Sequence, residues 1–414
     1  MLNIPDICSD FETKRESINN FQQQTSEILF NYLHFLPRLD ATKIEHNKTL
    51  PHYSGAKILD EGRLFLKFNK IWKKREDAVL WAGGVLDDVT IGCVDGSQIY
   101  PDKTIGIQIA VVQTASVINS HNGCDHLIDV HSRVVTPDEF ELNHIYSFGK
   151  EFIDAKRFAM ECAAIESILK SHDKVYAFLD GSLILSHTQM LNKNIRDIYN
   201  NALFSLLATS KKTGNPVIGY VEKSMQGDIT DMMGHLYEIS TKSRIRDALL
   251  LKTKRMEWGD RTKLFICNRD DRRKGTSDIF ISNTSDVYVP SVLKAASDSA
   301  SKPDLASVST SSSTLDTYGE YRDSIAFYYI MMNRFEPSRV EIPIWAAGEA
   351  EAISNILRAQ TVLRGEYPDI LKRAHDAAVI RMSEHGIFIE ILRNFCNDNG
   401  IDLPLSAKQI HKEI

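Results

Sequence analysis

The 414-residue sequence has no Cys-x-x-Cys pair, no long apolar run and no excess of positive charge. Each absence removes a class of protein. The six cysteines, at 8, 93, 124, 162, 267 and 396, form no dense framework, which argues against disulfides or structural zinc and for reduced thiols in a cytoplasm. Apolar runs stay under about ten residues, too short to cross a bilayer. The opening "MLNIPDICSDFETKRESINN" is polar and acidic where a secretory signal would be basic and then apolar. A soluble, cytoplasmic protein with no membrane association is expected. With 49 Lys and Arg against 55 Asp and Glu, the formal charge is −6, so any contact with nucleic acid must rest on local patches. One such patch, residues 252–275, holds nine Lys or Arg against four acids, with Trp258 and Phe265 interleaved.

What is present is a normal globular composition, 43% hydrophobic, and a clear change of pattern along the chain. Residues 10–82 carry apolar side chains at three- and four-residue spacing and read as helical. From 90 onward come strand-like runs, "TIGCVDGSQIY", "IGIQIAVVQTASVIN" and "HLIDVHSRVVTP", then a long helix over about 146–171. The strand "KVYAFLDGSLIL", a helix near 189–212 and the strand "PVIGYVEKS" follow. Three strands with short connections, then helix, strand, helix, strand, is the order of an RNase H-like core. There an antiparallel meander is extended by parallel strands through helical crossovers. The expected fold is therefore α/β, an RNase H-like core with a mixed sheet, elaborated by N-terminal and C-terminal helices. Boundaries near 85 and 395 set off an N-terminal helical elaboration (1–85), a main domain (86–395) and a tail (396–414). Residues 297–313 hold eight serines in seventeen positions and read as a flexible insertion, about 295–315.

Asp-Gly-Ser occurs twice, at 95–97 and 180–182. A single copy reads as a turn, with glycine and serine letting the backbone bend after a strand. Two copies on the first and fourth strands, which lie side by side in this order, place Asp95 and Asp180 where they can face one cation. Paired carboxylates repel, and a divalent metal keeps both ionised at neutral pH. On the helix "EFIDAKRFAMECAAIESILK", Glu161 falls nearer the centre of the apolar face than Glu166 and is better placed to look into the sheet. Lys223 stands at the end of the fifth strand, where it could neutralise a phosphate oxygen. His375 lies two turns into a helix opened by Pro368, on the row Leu371, His375, Val379, and Tyr367 immediately precedes that helix. Taken alone, His375 reads as a satisfied core residue and Tyr367 as packing.

In order and spacing, "CVDGS", an acid on the next long helix, "FLDGSLI", "GYVEKS", "RDALLL" around Asp247, "RVEIP" around Glu341 and a closing "YP" with "AH" resemble the NurA family. These are nucleases that work with the HerA hexameric translocase on DNA ends. The resemblance spans about residues 90–385. It implies that Asp95, Glu161 and Asp180 bind metal and that Lys223, Tyr367 and His375 complete the catalytic site. It also implies two manganese or magnesium ions, a homodimer around DNA, a HerA-like ATPase partner, and 5′-end exonuclease with single-strand endonuclease activity. Repair of DNA ends and defence against foreign DNA are both compatible with that partnership. An RNA-directed nuclease, a non-catalytic adaptor that docks onto an ATPase and, more remotely, a two-carboxylate glycosidase are the alternatives.

Overall fold

The structure, a computed structural model, describes residues 2–102, 105–123, 126–142, 149–239, 245–254, 256–269, 321 and 323–403. The described fold belongs to the unit formed by residues 1–270 and 320–414. The serine-rich stretch at 297–313 lies outside the described residues.

In chain order the elements are α1 (Ile4–Phe35), β1 (Gly55–Ile58), β2 (Phe65–Leu66), α2 (Arg75–Leu86), β3 (Ile91–Ile99), β4 (Ala110–Asn119), β5 (Leu127–Val135), α3 (Pro137–Leu142) and α4 (Lys150–Ser171). Then come β6 (Tyr176–Asp180), α5 (Lys193–Thr213), β7 (Val217–Val221), α6 (Asp228–Leu236), α7 (Asp247–Thr253), β8 (Arg261–Thr262) and β9 (Phe265–Asn268). The series ends with β10 (Ile325–Ile330), β11 (Ser338–Pro343), α8 (Ala350–Arg364), α9 (Asp369–Ala378) and α10 (Met382–Asp398).

The strands form one mixed sheet in the order β1-β9-β10-β11-β7-β6-β3-β4-β5, with β8 pairing β10 and β2. The meander β3-β4-β5 is antiparallel, and β6 and then β7 add in parallel beside β3. This is the pairing expected from the order of elements. The parallel steps need crossovers, supplied by α4 and α5. Asn192 caps α5 by accepting from Ile195 N at 3.0 Å, and Gly214, at φ 77°, ends it in the left-handed conformation.

Side chains alternate across β3. Cys93 points into a core built with Ile356 of α8 and Leu371 of α9, while Gly92 and Gly96 meet α4 on the other face. A Cβ on Gly92 would lie 2.9 Å from Ile168 Cγ2. The glycines of β3 thus set how closely α4 approaches the sheet.

Three expectations need correction. Within 10–82, residues 55–58 and 65–66 are strands, and helix resumes only at Arg75. Strand pairing with β9 and β8 overrides a periodicity that came from aromatics packing a loop. Asp95 stands in the middle of β3, not at its end, because pairing with β4 runs on to Ile99↔Val111. In the 252–275 patch, Arg261, Lys263 and Phe265 are buried. Lys263 Nζ donates to Leu39 O at 2.6 Å, so that part of the run is internal.

Because α4 seats on bare backbone, Gly92→Ala should destabilise the fold by about 1–3 kcal/mol through overpacking. Gly83→Ala, in a helix with nothing within 4 Å of the added methyl, should be neutral or stabilising by up to about 1 kcal/mol. Urea unfolding of the two variants checks the contrast.

Candidate active site

Val94 pairs with Leu179 in parallel register, so Asp95 and Asp180 follow side by side on neighbouring strands. Both project on the face that carries α9. His375 of α9 places Nδ1 2.9 Å from Asp95 Oδ2. Asp95 Oδ1 accepts from Gly96 N at 2.7 Å. Tyr367 OH stands 3.0 Å from each oxygen of Asp180. Its ring packs edge-on against the buried Tyr220, centroids 5.6 Å apart. Burial and the neighbouring Asp180 push the Tyr367 phenol up, which keeps its proton and makes it a donor to that carboxylate.

Glu161 arrives from the opposite face. It is 4% exposed, and its Oε1 lies where a Cβ on Gly96 would stand, at 2.5 Å. The glycine of the first Asp-Gly-Ser is an opening through which α4 delivers a carboxylate toward the sheet. Burial, opposed by Arg157 and aided by Asp95 and Asp180, raises Glu161 to about 7. Burial and Asp95 raise Asp180 to about 6. Glu166 faces away from this cluster. It binds Lys170 Nζ at 2.8 Å and Thr209 Oγ1 at 3.2 Å, in the seam between α4 and α5.

The structure therefore brings Asp95, Glu161, Asp180, Tyr367 and His375 together. Lys223 lies two residues beyond the end of β7 and is exposed. It makes no hydrogen bond or ion pair among the described residues. Sequence reasoning missed Arg157, whose Nη1 donates to Glu161 Oε1. Its position four residues before the glutamate is the available signal.

The two serines carry support. Ser97 Oγ donates to Ala378 O at the end of α9, and Gln113 Nε2 donates to the same carbonyl at 2.9 Å. These bonds hold the helix that bears His375. Glu341 Oε2 accepts from Ser182 Oγ and Leu183 N, both at 2.7 Å. Its other oxygen accepts from Arg339 Nε at 2.6 Å. Arg339 continues to Asp228 Oδ2 at 2.7 Å, and Asp228 is gripped by Arg269 through both carboxylate oxygens at 2.7 and 2.6 Å. Asp247 caps α6 by accepting from Ile229 and Thr230 N. Asp247 and Glu341 are thus structural members of a buried ionic network behind the loop that follows Asp180.

Among the described residues no three His, Cys, Asp or Glu side chains are grouped closely enough to hold a metal ion as they stand. The donor set nonetheless fits a hard divalent cation. Two of its carboxylates, those of Glu161 and Asp180, are held above their ordinary range by burial and by neighbouring negative charge, a condition that a cation relieves. Glu161 would have to exchange Arg157 for that ion.

A sequence profile described as the NurA domain matches residues 89–380. No curated protein sequence matches. Among solved structures, the NurA nuclease from Sulfolobus solfataricus matches with a TM-score of 0.51 at 13% identity, over 96% of this chain and 98% of that one. A NurA bound to dAMP and manganese matches with a TM-score of 0.36 at 10% identity, over 72% and 87%. The profile covers well over half of the chain and includes all six residues singled out from the sequence, so the chain belongs to the NurA family.

Proposed function

We propose that this chain is a divalent-metal-dependent nuclease that hydrolyses DNA. The observation that carries the reading is the pair Asp95 and Asp180 on adjacent parallel strands, each held by a residue at or just before α9. That five-strand part of the sheet, β5-β4-β3-β6-β7, is read as an RNase H-like core. Family membership supports the chemistry, and one NurA has been solved with dAMP and manganese.

In this reading Asp95, Asp180 and Glu161 would hold manganese or magnesium, two ions in all. A divalent cation held by these carboxylates would supply Lewis-acid activation of water and charge stabilisation at the leaving 3′ oxygen. Asp95 fixes one imidazole nitrogen of His375, which leaves Nε2 without a protein partner among the described residues. That nitrogen can orient the attacking water or move a proton beside the scissile phosphate. Tyr367 holds Asp180 in place by donating to it. Lys223, exposed at the same strand end, meets a phosphate oxygen. A homodimer around DNA, a HerA-type ATPase partner, 5′-end polarity with single-strand endonuclease activity, and a cytoplasmic role in end processing or anti-phage defence complete the proposal.

The test is cleavage of end-labelled linear DNA, single-stranded DNA and RNA with manganese, with and without a co-purifying ATPase. Asp95→Asn and Asp180→Asn should each lower the rate by roughly a hundred- to ten-thousandfold, whereas Glu166→Gln stays within a few-fold. Parent-like cleavage by either aspartate variant would sink the reading. Preferential cleavage of RNA would redirect it to the RNA-directed alternative, and no metal-dependent cleavage at all would leave the adaptor.

The carboxylate shifts add a pH dependence. Glu161 near 7 and Asp180 near 6 take up protons as pH falls, and a cation competes with those protons. Manganese affinity, measured by calorimetry, should rise from pH 6 to 8 and level off above. In the metal-free chain both folded pKa values exceed the unfolded ones, so the stabilisation they contribute is present at low pH and lost as pH rises through about 6 and then about 7. Thermal melts without metal should fall across that window, and a flat profile would contradict the shifts.

A further inference from the structure

Residues 63–75, "RLFLKFNKIWKKR", hold six Lys or Arg and no acid, in a chain whose net charge is −6. The same segment brings Phe68 and Trp72 against Trp81 of α2 and against Trp258, so that three of the four tryptophans share one cluster. None of these rings belongs to the site at Asp95 and Asp180.

The cluster is built from beneath. Asp260 is buried and accepts from Phe68 N at 3.0 Å and from Lys67 Nζ at 2.7 Å. Gly259, at φ 84°, comes so close that a Cβ there would lie 2.5 Å from the Phe68 ring. Arg358 stacks its guanidinium 4.4 Å from that ring's centroid and donates to Gly259 O at 2.8 Å. Trp258 Nε1 is committed to Met332 O at 3.0 Å. These contacts hold Trp72 in place, with ring centroids 5.1 Å from Trp81 and 5.7 Å from Trp258. Yet Trp72 itself is only half-buried, and Ile71 beside it is 95% exposed.

A loop that merely packed would bury its largest ring and would not carry exposed cations on both sides of it in the sequence. Lys67 is used by Asp260, and Lys70 lies over the Trp81 ring at 5.9 Å. Arg63, Lys73, Lys74 and Arg75 are exposed and form no ion pair among the described residues. Glu76 and Asp77 follow at the start of α2, where carboxylates suit the positive end of the helix.

We propose that this loop is a docking surface for a single-stranded nucleic acid, with one base stacked on Trp72 and the flanking phosphates held by Arg63, Lys73 and Lys74. A single strand fits better than a duplex because stacking on a fixed ring needs an unpaired base face. The cations supply the salt-dependent part of the affinity. The inference rests on the nucleic-acid reading above, but not on hydrolysis.

The test uses the full chain in EDTA with a fluorescein-labelled oligo-dT, followed by anisotropy over a range of salt. Trp72→Ala should weaken binding roughly 5- to 100-fold, as loss of one stacked base does, while Trp72→Phe retains most of the affinity. The triple variant Arg63→Ala, Lys73→Ala, Lys74→Ala should lower the slope of log affinity against log salt by about 2. Circular dichroism melts show whether each variant folds. If the folded triple variant and the folded Trp72→Ala variant both bind as the parent does, the surface is overturned. Stronger binding of duplex than of oligo-dT, or binding of anionic phospholipid vesicles in place of the oligonucleotide, overturns it as well. Cleavage with manganese, measured in parallel, separates the two proposals. A chain that cleaves but whose loop variants bind undiminished loses the docking surface alone. One that binds through Trp72 but does not cleave loses the catalytic reading alone.

Discussion

The arrangement depends on how closely α4 approaches β3. Two aspartates on adjacent strands already repel, and a third carboxylate from the helix adds to that field. Glu161 can reach the sheet only because Gly96 has no side chain, and it can stay buried only because Arg157 meets it there. Removing a carboxylate from water without a partner costs several kcal/mol. The ion pair therefore keeps the helix seated while the acids remain close together, and Gly92, four residues earlier on the same face, keeps the seam tight at its other end.

A second buried electrostatic system lies behind the loop after β6. Glu341, Arg339, Asp228 and Arg269 are linked in a chain of short ion pairs, and Ser182 and Leu183 hang from its first member. Such a network rewards completeness, since loss of one member strands the rest without solvent. Its place explains how acids far apart in sequence support the second Asp-Gly-Ser without touching Asp95 or Asp180. They shape the backbone that presents Asp180.

Much of this was legible in the sequence. Apolar runs and turn residues located β3 to β7 and the crossovers α4 and α5, because those elements announce themselves over five or more residues. The side-by-side placement of Asp95 and Asp180 followed from strand order, and the choice of Glu161 over Glu166 followed from helical phase. What was not legible depended on long-range pairing. The spacing of Phe65, Phe68 and Trp72 suits a helix, yet the first of them pairs with β8 and the other two pack on Trp258. No local rule could assign Gly96 to the approach of a helix, since a glycine after an aspartate is the ordinary mark of a turn. The same ambiguity hid Arg157, an i,i+4 partner that on most helices would be a solvated ion pair worth little.

The two Asp-Gly-Ser copies look equivalent and are not. Their aspartates are placed alike, on one face of neighbouring strands. Their glycines differ: Gly96 stays within an extended strand and admits Glu161, whereas Gly181 turns the chain, donating its N–H to Leu179 O at 2.9 Å. That turn folds over β7 so closely that a Cβ on Gly219 would meet Gly181 O at 2.8 Å. Their serines differ again, one holding the end of α9 and the other bonded to Glu341. A repeated tripeptide therefore marks repeated chemistry only at its first position. At the other two positions each copy solves a different packing problem, one for a helix seated on the sheet and one for a chain leaving it.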